Sequence, residues 1–126
     1  MTVDGRSLLP FARHPGRRSR RAILHETGGR RYLDLRAQDE APNRGRSLGR
    51  VLTYRAVRTA GWLYVRYRGG SRELYDMRRD PHQLRSRHAD PAYRATRRAL
   101  ARELRRLADC RGDVCRRAAG TIPAPR

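Results

Sequence analysis

Between Val51 and Met77 short runs of apolar and aromatic residues are separated by regularly spaced turn signals, and this divides the segment into three predicted strands. Val51 to Thr59 alternates imperfectly between apolar and polar positions, and Ala60-Gly61 then supplies a tight turn. Trp62 to Tyr67 is rich in the aromatic and β-branched residues that fit a pleated surface. After the turn Arg68-Gly69-Gly70-Ser71, the run Arg72 to Met77 forms the third strand. Its two-residue period puts Leu74 and Asp76 on one face and Glu73, Tyr75 and Met77 on the other. Consecutive strands joined by short turns pair antiparallel. An earlier apolar run, Ala22-Ile23-Leu24 within Arg21 to Glu26, is compatible with a fourth strand that Gly28-Gly29 ends.

The pattern changes at Asp80-Pro81, where proline removes an amide donor and biases the preceding residue away from helix. His82 to Ala89 reads as irregular or a short helical turn. Asp90-Pro91 then announces a helix, with Asp90 as N-cap and Pro91 at the first helical position. Tyr93, Leu100, Leu104 and Leu107, with Ala101 and Ala108, fall at three- and four-residue steps and make one apolar stripe. The opposite face is almost entirely arginine. Ahead of the sheet, Asp4 to Phe11 predicts a turn and at most one helical turn that Ser7 is able to cap, and Arg30 to Arg50 predicts a surface loop. The end, Ala118 to Arg126, has two prolines and a glycine and reads as a loose tail. The expected fold is α+β: a small antiparallel sheet of three or four strands packed by one C-terminal amphipathic helix.

Composition limits how much core such a unit has. Leucine, isoleucine, valine and phenylalanine number 21 of 126 residues, below the roughly 20% at which highly charged chains drift toward disorder. One domain at most is expected, with an ordered middle and C-terminal part. All 31 basic residues are arginine, and the formal charge is +19. Guanidinium groups pair bidentately with phosphate, so a polyanion or nucleic-acid binder is one reading. The other is an arginine-favouring GC-rich genome, and the spread of arginines over strands, turns and helix alike favours it. No apolar run of the length that crosses a membrane is present, and Leu8 to Ala12 is too short for the core of a secretory signal.

Four segments, in order, resemble the formylglycine-dependent sulfatases. A V-D-G-x-S-L-x-P segment is matched by Val3, Asp4, Gly5, Ser7, Leu8 and Pro10, and an R-T-x-x-W-K-Y strand by Arg58, Thr59, Trp62 and Tyr64. The pattern E-L-Y-D-L-x-x-D-P-x-E-L is matched by Glu73, Leu74, Tyr75, Asp76, Asp80, Pro81 and Leu84, and a D-P-x-Y helix start by Asp90, Pro91 and Tyr93. Leu63, Met77, Gln83 and Arg85 depart from the family's usual residues, and the loop 28–50 has no clear counterpart. The resemblance implies the C-terminal subdomain of the alkaline-phosphatase-like sulfatase fold: a junction over 1–20, the subdomain over 21–117 with its loop 27–50, and a tail over 118–126.

What the resemblance implies about activity is set by residues this sequence lacks. The family's nucleophile arises from a C/S-x-P/A-x-R core, which neither Cys110, Cys115 nor any serine matches, and the family's calcium-binding carboxylates have no counterpart here. Sulfate-ester hydrolysis by the hydrated aldehyde and metal is therefore not expected of the chain alone. Formylglycine and calcium would belong to a catalytic domain, encoded separately or lost, which this sulfuric ester hydrolase relative would support. No specific nucleic acid and no membrane partner is expected. No export signal is visible, although complete relatives are often exported.

The remaining candidates are weighed within that resemblance. Cys110 and Cys115 lack the spacing of a redox C-x-x-C pair or a zinc site, and similarity to exported relatives implies a disulfide between them. His14, His25, His82 and His88 show no helical metal-ligand spacing, and His25-Glu26 is kept as the one candidate cleft-facing pair. Arg58, Trp62, Tyr64, Tyr75 and Asp76 form an aromatic and charged cluster. It would stack bases in an arginine-rich nucleic-acid module. The alternative, burial of these aromatics against the C-terminal helix or a neighbouring domain with Asp76 pairing an arginine, accounts for them better.

Overall fold

The computed structural model describes residues 7–17, 19–27 and 53–126. Within these a short helix α1 (Leu9–Arg13) precedes strands β1 (Ile23–Glu26), β2 (Tyr54–Arg58), β3 (Trp62–Tyr67) and β4 (Arg72–Asp76), and the long helix α2 (Arg94–Asp109) follows. The strands form one antiparallel sheet in the order β1-β2-β3-β4. The protein is thus a small α+β unit, a meander covered on one face by α2. Val3, Asp4, Gly5 and most of the predicted loop lie outside the described residues, as do Val51 and Leu52 at the head of the predicted β2.

Period-two geometry decides what the helix covers. Leu24, Val57, Tyr64 and Leu74 lie opposite one another across the four strands and form one row on the α2 side. Val57, Tyr64 and Leu74 meet Leu100, Leu104 and Leu107 in a single core, with Ala22 and Tyr93 at its ends. Burying each of the larger side chains contributes roughly 1.5–3 kcal/mol. The same alternation turns Ile23 away, so it stays 57% exposed although it sits inside the apolar run that marks β1.

The turns use the residues predicted for them. Thr59 closes the β2–β3 hairpin, its Oγ1 accepting from the Trp62 amide at 3.1 Å while its own amide donates to the Trp62 carbonyl at 2.9 Å. Gly70 at the β3–β4 turn has φ +93°, a conformation that favours glycine. After β4, both Asp80 carboxylate oxygens accept backbone amides, from Leu84 at 3.0 Å and Arg85 at 2.9 Å. These bonds to the ionised form lower the Asp80 pKa below its usual value. The chain then passes beside β4, where the Arg87 amide donates to the Leu74 carbonyl at 2.7 Å and the Leu74 amide to Ser86 Oγ at 3.1 Å.

Asp90 caps the helical segment as expected, its Oδ1 accepting from the Ala92 amide at 3.0 Å. Pro91–Tyr93 is a 3-10 turn, and α2 proper begins at Arg94. The predicted stripe is buried at Leu100, Leu104 and Leu107, but Thr96, Ala99 and Glu103 are buried too. Polar Thr96 is missed by an apolar period, and its hydroxyl is satisfied by donating to the Pro123 carbonyl at 2.7 Å. That bond belongs to a larger difference from expectation. The stretch 118–126, which its prolines mark as a loose tail, runs back over the helix. It is held there by hydrogen bonds from Ala119 to the Arg20 carbonyl and from Arg126 to the Ala92 carbonyl, with Ile122 packed on the core.

Ser7 does not act as the N-cap of α1, a place taken by Leu8, but its hydroxyl accepts from the Leu9 amide at 3.2 Å. Cys110 and Cys115 form a disulfide across the turn after α2, with their Cα atoms 5.3 Å apart. Arg106 anchors this turn from the helix. Its guanidinium forks onto Glu103 at 2.6 and 3.0 Å and donates to the Val114 carbonyl at 2.8 Å.

Candidate anion pocket and sheet faces

The residues that carry the family resemblance are placed chiefly as structural parts. Trp62 is half-buried and meets Tyr93 edge to face at 6.1 Å, which joins the start of β3 to the start of the helical segment. Tyr64 and Leu74 are core. Asp76, also buried, uses Oδ1 to accept the Arg78 amide at 3.1 Å, and its nearest arginine partner, Arg79, is at 3.8 Å. Arg58 is exposed on the far side of the sheet and Thr59 serves the hairpin. Tyr64 therefore has no free face for a base, and the cluster predicted from sequence divides between the two sides of the sheet.

His25 and Glu26 are adjacent strand residues and so point to opposite faces. Glu26 pairs with Arg55 at 2.7 Å on the α2 side, while His25 lies opposite Ala56 on the other. They do not share a site. Among the described residues no group of three or more histidine, cysteine, aspartate or glutamate side chains is placed to hold a metal, and no helix is long and apolar enough to cross a membrane.

The sheet face turned away from α2 carries Ala56 and Val65, which are buried, and Leu63, Tyr67 and Tyr75, which are half-buried. Glu73 organises its polar part, accepting the Tyr67 hydroxyl at Oε1 and the Tyr75 hydroxyl at Oε2, both at 3.1 Å. Partial burial, and next the hydrogen bond to Glu73, raise the pKa of both phenols, that of Tyr75 to about 12.

The α2 side holds a feature that sequence reasoning missed. One row below the apolar row, Arg55, Arg66 and Arg72 lie directly opposite one another on β2, β3 and β4. Arg68 from the following turn and Arg105 from α2 join them around a cavity of about 560 Å³, floored by Tyr64 and Leu104. Only Arg55 of these five has an ion-pair partner among the described residues. The signal was present in the sequence as arginines at strand positions of one parity. It becomes legible only once the register aligns them, because scattered positions in the chain give no hint of a shared row.

No protein-family model matches this chain, and no curated protein matches its sequence.

Proposed function

We propose that this chain is a C-terminal subdomain of the sulfatase type, a support element for a catalytic domain of the sulfuric ester hydrolase lineage, and inactive toward sulfate esters by itself. The observation that carries the reading is the sheet face turned away from α2, where Leu63 and Tyr75 stay half-exposed beside the buried Val65, while α2 fills the other side. A half-covered sheet of this kind gains stability from a second packed layer. The order of the motif residues supports the same reading. Arg58 to Tyr64 make one hairpin, Glu73 to Asp76 the next strand, Asp80-Pro81 its exit and Asp90 to Tyr93 the entry to α2.

Two measurements test this. The coding sequence upstream of Met1, read in frame, is expected to encode a C/S-x-P/A-x-R segment, or a neighbouring gene is expected to encode it. Co-expression of that catalytic domain with this chain is expected to stabilise both, and Leu63→Ser with Tyr75→Ser to abolish the effect. Turnover of an aryl sulfate by the purified chain alone, or co-expression that stabilises neither partner, overturns the proposal.

A further inference from the structure

We infer that the arginine-lined cavity between the β2–β4 sheet and the C-terminal half of α2 is a binding site for a small oligophosphate, a ligand carrying two or more linked phosphate groups. The first ground is register. Arg55, Arg66 and Arg72 are Cα partners in sequence across three neighbouring strands, so their side chains rise on one face in one row. Like charges placed directly opposite one another destabilise a sheet. A row of three with a single carboxylate neighbour, Glu26 on Arg55 at 2.7 Å, is left uncompensated at Arg66 and Arg72. An anion lying along the row converts that repulsion into attraction.

The second ground is convergence from separate elements. Arg105 reaches the same cavity from α2 and Arg68 from the β3–β4 turn, so exposed arginines of helix, sheet and turn line one half-open groove together. Neither has an ion-pair partner among the described residues. Guanidinium groups hold their charge at any working pH and grip phosphate through two parallel N–H donors.

Size selects the ligand class. The row spans two interstrand steps, about 10 Å, which exceeds the reach of one tetrahedral oxyanion and suits a chain of them. The cavity, about 560 Å³, falls within the roughly 300–1,000 Å³ typical of small-molecule sites. Extended nucleic acid fits less well, because Tyr64 is buried and the other two lining aromatics, Tyr54 and Tyr67, pack edge to face on each other at 5.9 Å.

The test is calorimetric titration of the full chain with inorganic tripolyphosphate, with sulfate and a short single-stranded oligonucleotide as comparison ligands. Saturable binding of one tripolyphosphate per chain is expected, tighter than sulfate, and Arg66→Gln with Arg72→Gln is expected to weaken it at least about tenfold. The control pair Arg98→Gln with Arg102→Gln, on the exposed face of α2, removes the same charge and is expected to change affinity less than about twofold. The Arg66/Arg72 variant also reports on folding: without ligand it is expected to melt no lower than the parent, since it relieves repulsion, while losing the ligand-induced rise in Tm. Absence of saturable tripolyphosphate binding overturns the inference. Equal losses in the two variant pairs overturn it as well, since they make net charge the sole cause, and so does preferential oligonucleotide binding.

Discussion

Replacing Arg106 with alanine removes the only charged partner that Glu103 has on α2. The Glu103 carboxylate is 7% exposed and receives Nη2 of Arg106 at 2.6 Å and Nε at 3.0 Å, while Arg106 itself is 27% exposed. Breaking a buried pair by deleting one member costs roughly 3–5 kcal/mol, because the remaining charge is stranded. The open arginine end places the cost at the low end, about 3 kcal/mol. The lost bond to the Val114 carbonyl adds little, since water replaces the donor there. For a domain of this size that corresponds to a fall in Tm of roughly 11–15 °C, which calorimetry or a circular-dichroism melt resolves easily.

A second variant separates a stranded charge from simple loss of contacts. The double variant Glu103→Ala with Arg106→Ala is expected to be more stable than Arg106→Ala alone, because it removes the stranded group. A loss under about 0.5 kcal/mol in the single variant, or a double variant no better than the single, refutes the reasoning.

Three other outcomes follow from the core, the disulfide and the phenols. Leu100 is fully buried, so Leu100→Ala is expected to cost about 3 kcal/mol in urea unfolding, while Leu84→Ala, at a side chain 80% exposed, changes stability by less than about 0.5 kcal/mol. Removing the Cys110–Cys115 bridge by serine substitution is expected to cost about 2 kcal/mol, the chain-entropy value for so short a loop, measured as the difference between the melts of parent and variant. Burial, and next the hydrogen bond to Glu73, push the Tyr75 phenol up from its ordinary 10.0 to about 12, so its contribution is fully present below pH 10 and fades as pH rises toward 12. Glu73→Gln is expected to bring the phenol part of the way back, as read by phenolate absorbance, because burial, the larger cause, remains. An unchanged titration in that variant contradicts the role given to Glu73.

The elements were legible because local signals agreed with burial. Ala60-Gly61, the glycines after Tyr67 and the Asp90-Pro91 start each act within a few residues, and the stripe through Leu100, Leu104 and Leu107 is one helix face. What stayed hidden depended on contacts distant in sequence. Thr96 is buried because Pro123 supplies its acceptor, and a polar residue whose partner lies 27 positions away leaves no mark on a periodic pattern. The return of residues 118–126 over the helix is hidden for the same reason. The arginine row needed the register of three strands, whereas the division of His25 from Glu26 already followed from strand alternation within the predicted run Arg21 to Glu26.

The passage of Ser86 and Arg87 beside Leu74 gives the sheet a direction of vulnerability. With the Leu74 amide and carbonyl both occupied, the outer side of β4 offers a reduced template for another chain's strand. The open border of the described sheet is then β1, only four residues long and ending in a charged glutamate. Short length and charge both discourage strand addition. Self-assembly through backbone pairing, if destabilising conditions provoke it, is therefore expected to begin at Ile23–Glu26, and amide exchange should show that strand opening before β4.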